Sequence, residues 1–197
     1  MTAHDQSQSS YDVIVVGSGA GAMTSALFAA DQGLSVLIVE KSDKYGGTSA
    51  ISGGGIWIPN NHYFAALGGQ DSPELSMQYL KAATGEHGDP VRLKAYLDHA
   101  APMIKKLTAN SHVRYAVADK YPDYYPQLPG ALPGGRTLDP ELFDTSLLAE
   151  ELPNLRKPSP STLLMGRIAW TARDAHKAMA RSFGWQWLIF KLMARYK

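Results

Sequence analysis

Cysteine is absent from the 197 residues. That excludes disulfides, thiolate metal sites and any covalent cofactor link through cysteine sulfur. The six histidines are scattered with neither HxH nor HxxxH spacing, so no metal centre is expected. No apolar run reaches the roughly 20 residues needed to cross a bilayer, and none reads as a secretory core. Neither sign of charge is in excess: 19 Lys and Arg stand against 18 Asp and Glu, and a net charge of +1 carries no nucleic-acid footprint. A soluble cytoplasmic protein is therefore the default expectation. What is present is globular: 45% of residues are hydrophobic and 19% charged, enough for one domain core. Residues 1–10 are polar and serine-rich, and read as a disordered lead-in.

The densest signal is residues 11–40, YDVIVVGSGAGAMTSALFAADQGLSVLIVE. Residues 11–16 form a short, mainly apolar run rich in β-branched side chains, as a buried parallel strand should be. Gly17, Ser18, Gly19, Ala20 and Gly21 make a tight turn. A helix is expected over residues 20–32 with Gly33 ending it, and a second strand over 34–39 with Glu40 at its carboxyl end. Gly17 permits the sharp exit from the strand, Gly19 permits a pyrophosphate to approach the backbone, and the small Ala22 permits close helix–strand packing. The helix start offers unpaired N–H groups and a positive dipole end. Glu40 follows Gly17 by 23 residues, where a carboxylate accepts from ribose hydroxyls and repels a 2′-phosphate. The pattern predicts a Rossmann-like α/β nucleotide-binding unit with a parallel sheet, helices and long loops.

A second glycine-rich segment follows. Residues 41–60 carry five glycines, at 46, 47, 53, 54 and 55, and four Ser/Thr hydroxyls. Such a stretch suits a flat ligand, and Ile51, Ile56, Trp57 and Ile58 argue against a solvated linker. Helices are expected over 73–83 and 90–107, each with proline near its start and with Asp71 or Ser72 and Asp89 as caps. Residues 112–117 read as a short strand, 119–137 as an ordered loop, 141–152 as a weak helix and 153–160 as a breaker. Residues 163–196 read as one or two helices interrupted at Gly166 and Gly184. Their aromatic and basic side chains fit packing against further protein, with a membrane surface as the less favoured partner.

Together VVGSGAGAMTSA, VLIVEK, YGGTSAISGGGIWIPNN and YPDYYP resemble the FAD-dependent 3-ketosteroid Δ1-dehydrogenase family, within the fumarate reductase and succinate dehydrogenase flavoprotein group. The resemblance covers residues 11–137. It implies FAD as cofactor, a 3-ketosteroid or similar hydrophobic small molecule as substrate, and desaturation of the A ring at C1–C2 with hydride transfer to flavin. It places Ser18, Ala20 and Gly21 at the pyrophosphate, Glu40 at the ribose with Lys41 beside it, and Gly46, Gly47, Thr48 and Ser49 along the pyrophosphate and ribityl chain. Ser52, Gly53 and Gly54 would line the flavin. Tyr124 would be the catalytic group in this chain, hydrogen-bonding a second tyrosine that acts as base. In that family the base and the groups holding the 3-keto oxygen lie far downstream, so residues 11–197 are expected to be the N-terminal part of an FAD-binding domain and an inactive piece by themselves. A fumarate-reductase-like enzyme acting on another enone or acid, and a non-catalytic FAD-binding remnant, stay open as alternatives; the second glycine segment disfavours an NAD-dependent dehydrogenase. No electron acceptor is indicated.

Overall fold

The protein is described by a computed structural model covering residues 10–195. The expected lead-in thus falls almost wholly outside the described residues. The described residues divide into two compact units, residues 10–52 with 144–162, and residues 53–143 with 163–195.

In the first unit, strand β1 (Val13–Val16) leads into helix α1 (Ala20–Asp31) and strand β2 (Val36–Val39). The strands pair in parallel, from Val13 opposite Val36 to Val16 opposite Val39. A reciprocal clasp sets this register: Asp12 accepts from the Ser35 N–H at 2.9 Å and hydroxyl at 2.7 Å, while the Asp12 N–H donates to Ser35 Oγ at 3.0 Å. Gly17 leaves β1 at φ +97° and Gly33 ends α1 at φ +81°, conformations that glycine adopts without steric cost. β1 is not the fully buried strand its composition predicts. Val13 and Val15 are half-buried, but Ile14 and Val16 are 60% and 83% exposed. Alternate residues of a strand face opposite sides, and α1 covers the sheet of this unit from one side only. A 3₁₀ stretch (Thr145–Asn154) replaces the weak α-helix expected over 141–152. It is broken at Ala149, where φ is 44°, and Tyr45 bridges to Leu155 just after it.

The second unit holds a three-stranded antiparallel sheet in the order β3 (Ile56–Trp57), β5 (Thr137–Pro140), β4 (Tyr115–Val117). β5 was not expected: Asp and Pro are depleted in strands, and its four residues pair only with distant partners. Helices α3 (Pro73–Thr84) and α4 (Pro90–Asn110) follow the caps read from sequence, while the short helix α2 (His62–Ala66), capped by Asn61, has no counterpart in that reading. Ser72 accepts from the Leu75 N–H and Asp89 from the Val91 N–H. α3 packs on α4, and the core gathers Ile58, Tyr79, Ile104, Leu107, Val117 and Leu138. The last segment is helical later than expected. α5 (Ala172–Met179) starts at a Thr171–Asp174 capping box and α6 (Trp185–Arg195) starts after Gly184; Phe183, Trp187 and Phe190 are exposed.

Candidate functional site

Ser18 and Glu40 organise the first unit's pocket. Ser18 is 4% exposed. Its N–H donates to Glu40 Oε2 at 3.0 Å, its hydroxyl donates to the same oxygen, and its Oγ accepts the Gly46 N–H at 2.9 Å. The Ser42 N–H donates to Glu40 Oε1 at 3.0 Å. These bonds, the Ser18 hydroxyl first and the Ser42 amide next, hold the Glu40 carboxyl below its ordinary pKa. One serine thus ties the turn after β1, the end of β2 and the second glycine segment together.

The α1 N-terminus has no side-chain cap at Gly19, although Ser49 Oγ accepts the Ala20 N–H at 3.1 Å. Gly47, at φ +56°, sits so close that an added Cβ would lie 3.1 Å from the Gly19 Cα. The pocket is a cleft of about 400 Å³ lined by Gly17, Ser18, Gly19, Glu40, Lys41, Gly47 and Thr48 among others. Arg156 also lines it. This residue was not singled out in the sequence, where it stands in a proline-rich breaker without periodic context.

The second unit carries an aromatic cleft of about 550 Å³, lined by Trp57, Tyr79, Tyr121, Tyr124, Asp139 and His176 among others. That volume suits a small hydrophobic molecule. Tyr124 is 81% exposed and lines the cleft, whereas the neighbouring Tyr125 uses its N–H to donate to the Tyr79 hydroxyl at 3.1 Å.

Behind this wall Arg136 is 1% exposed. It binds Asp71 through Nε at 2.9 Å and Nη2 at 2.7 Å, and Asp123 through Nη1 at 2.7 Å. Its guanidinium lies 5.5 Å from the Trp57 ring centre and 5.7 Å from that of Tyr79. Trp57 Nε1 donates to Asp123 at 2.6 Å and the Leu132 N–H donates to it at 2.9 Å. Two carboxylates on one guanidinium leave an excess negative charge, which these N–H donors and those of Asn60 and Ser72 on Asp71 spread. The network fixes the Asp123–Tyr125 loop, so removing one partner would leave a buried charge unpaired. Burial pushes the Tyr96 hydroxyl, which donates to the Trp57 carbonyl, up to about 12. Burial likewise raises the Asp139 carboxyl, against the opposing charges of Arg173 and His176.

The structure therefore gathers Gly17, Ser18, Gly19, Glu40, Lys41, Gly47 and Thr48 at one pocket, with Ala20, Gly46 and Ser49 hydrogen-bonded at its edge and Gly21 one residue further along α1. Ser18 spends both donors on Glu40 instead of leaving them for a ligand. Ser52, Gly53 and Gly54 do not line that pocket; Ser52 caps the short 3₁₀ turn Ser49–Ile51 through its hydroxyl, which donates to the Ser49 carbonyl at 3.0 Å. Arg136, Asp123, Asp139 and His176 escaped the sequence reading, and Asp71 was read only as a helix cap, not as a partner of Arg136. The run Gly134-Gly135-Arg136 was the one local hint.

The family profile described as the FAD binding domain matches residues 12–190. The crystal structure of 3-ketosteroid Δ1-dehydrogenase from Sterolibacterium denitrificans in complex with 1,4-androstadiene-3,17-dione is similar with a TM-score of 0.90 and 53% identity, covering 94% of this chain and 33% of that one. The 3-oxosteroid 1-dehydrogenase of Comamonas testosteroni is 40% identical over 187 residues, 94% of this chain and 32% of its own length. That of Mycobacterium tuberculosis is 43% identical over 145 residues, 74% of this chain and 26% of its own length. The chain spans a third or less of the length of these relatives.

Proposed function

The chain belongs to the FAD binding domain family, and from that premise we propose that it is the cofactor-holding part of a flavin-dependent dehydrogenase that desaturates the C1–C2 bond of a 3-ketosteroid A ring. The observation that carries this reading is the 53% identity and TM-score of 0.90, held over 94% of the chain, to an enzyme of that activity. A cytoplasmic location belongs to the same proposal.

The first unit fits the ADP half of FAD. The α1 N-terminus directs N–H groups and a positive dipole end at phosphate. Gly47 leaves no room for a side chain against Gly19, which keeps the two glycine turns in contact and the pocket open to a ligand. Glu40 Oε1 accepts the Ser42 N–H, and a carboxylate oxygen has further lone-pair capacity for a ribose hydroxyl. Lys41 and Thr48 flank the entry. Ser52, Gly53 and Gly54 keep their expected place beside the flavin ring as part of this proposal.

When bound, FAD supplies the hydride acceptor of the reaction. Tyr124 is the residue of this chain assigned to proton handling. Its hydroxyl donates a hydrogen bond to a second tyrosine, stabilising the anion of that base so that it takes the C2 proton near neutral pH. The buried Arg136 network fixes the loop from which Tyr124 projects, and the adjacent aromatic wall of Trp57, Tyr79 and Tyr121 excludes water and offers an apolar surface to a steroid.

A chimera tests the reading: this chain replaces the aligned third of the Comamonas testosteroni enzyme. The FAD-loaded chimera is expected to desaturate a 3-ketosteroid with an artificial electron acceptor. Tyr124→Phe is expected to lower its kcat by about 10²-fold with little change in KM, and Tyr125→Phe to be nearly silent. A folded, FAD-loaded chimera without turnover contradicts the proposal, and a larger effect at Tyr125 contradicts the role of Tyr124.

A further inference from the structure

We propose that Arg156 is a cofactor-binding residue whose guanidinium engages the diphosphate of the bound dinucleotide. The inference rests on the FAD reading and adds to it a cation that neither the glycine motifs nor the family resemblance assigns.

The backbone of Arg156 is pinned to the second glycine segment. Its N–H donates to the Tyr45 carbonyl at 2.9 Å, and the Tyr45 N–H donates to the Asn154 carbonyl at 2.9 Å. This ladder sets the Arg156 Cβ 3.9 Å from where a Cβ on Gly46 would stand, so the side chain enters the pocket shared by Gly17, Gly19, Glu40, Gly47 and Thr48.

Its guanidinium is underused there. Nη2 donates to Ser42 Oγ at 3.2 Å, while Nε is buried with no hydrogen-bond partner. A buried donor left unmade is costly, and a guanidinium carries five N–H donors. Among the described residues no ion pair includes Arg156. The one carboxylate lining the pocket, Glu40, already takes Ser18 on one oxygen and Ser42 on the other. Arg156 and Lys41 stand against the single carboxylate of Glu40, and with the α1 N-terminus, where Ser49 takes the Ala20 N–H, they leave the pocket net positive. A phosphate group matches the planar fork of arginine, taking two parallel N–H donors at once. The diphosphate is the anionic part of FAD, and a rotation of the guanidinium off its long Ser42 contact brings Nε–H and a terminal N–H to bear on it together.

The test is an equilibrium titration of FAD into the chain and its Arg156→Ala and Arg156→Lys variants, with ADP and adenosine as competitors and the melting temperature of each ligand-free protein measured alongside. Arg156→Ala is expected to weaken FAD and ADP about 10- to 100-fold, leave adenosine unchanged and leave the ligand-free melting temperature unchanged. Arg156→Lys keeps the charge but loses the fork, and is expected to fall between the two. If Arg156→Ala does not fold, Arg156→Lys decides alone by the same criterion. Affinities equal to the wild type overturn the proposal. So does an equal loss for adenosine, which would put the contact on the nucleoside, and so does a loss of affinity matched by a fall in ligand-free melting temperature, which would make Arg156 a structural brace. A wild-type chain that binds no FAD is a separate outcome: it removes the FAD reading and this inference with it.

Discussion

Asp139 stands on the wall of the aromatic cleft with 8% exposure, and burial raises its pKa while Arg173 and His176 oppose the shift. Ionising it therefore costs more in the folded chain than in the unfolded one. The penalty is absent below the unfolded pKa and grows as pH rises from there through the raised folded value. Asp139→Asn is accordingly predicted to melt higher than the wild type near about pH 7, with the difference closing toward about pH 4. Thermal melts at the two pH values check this, and an Asn variant that melts no higher at neutral pH contradicts it. Glu40 has the opposite sign: its lowered pKa stabilises the fold above the carboxylate range, and that stability is lost on acidification. Glu40 was legible in the sequence because its role depends on local spacing, 23 residues after Gly17 along one β–α–β unit. Arg136 was not, because its partner Asp71 lies 65 residues away and no local pattern signals a pairing across such a distance.

At the scale of elements, the two glycine turns meet where Gly47 approaches Gly19. A Cβ at Gly47 would lie 3.1 Å from the Gly19 Cα and 3.3 Å from its nitrogen, and φ there is +56°. Both obstacles are backbone, so neither yields by a rotamer change. Gly47→Ala is predicted to destabilise the ligand-free chain by about 1–2 kcal/mol from the left-handed conformation alone and to weaken FAD binding further by moving the start of α1. Gly21→Ala is the contrasting case. It lies inside α1 with nothing within 4 Å of an added Cβ, and alanine favours a helix over glycine, so its melting temperature should equal or exceed that of the wild type. Melting curves of the two variants decide between them; a Gly47→Ala protein as stable as the wild type contradicts the close approach. α1, α3 and α4 were readable from caps, proline and glycine. Of the sheet β3–β5–β4 only β4 was readable, within the strand expected over 112–117; β3 and β5, with two and four residues, carry too short an alternation to register and pair only through the fold.

On the scale of the whole chain, the nucleotide-binding unit followed from consecutive residues, while the aromatic cleft is assembled from segments between residues 55 and 176 and emerges only with the fold. No helix among the described residues is long and apolar enough to cross a membrane. The exposed Phe183, Trp187 and Phe190 around α6 show where the last segment departs from a self-contained core. The central proposal is recognition of one dinucleotide by the pocket that Ser18, Glu40 and Gly47 hold together. Equilibrium titration of FAD into the wild-type chain and into Glu40→Ala, followed by flavin fluorescence, tests this most directly. Saturable binding of one FAD per chain, weakened about tenfold or more by Glu40→Ala, is the predicted result; no saturable binding, or an affinity that Glu40→Ala leaves unchanged, would contradict it.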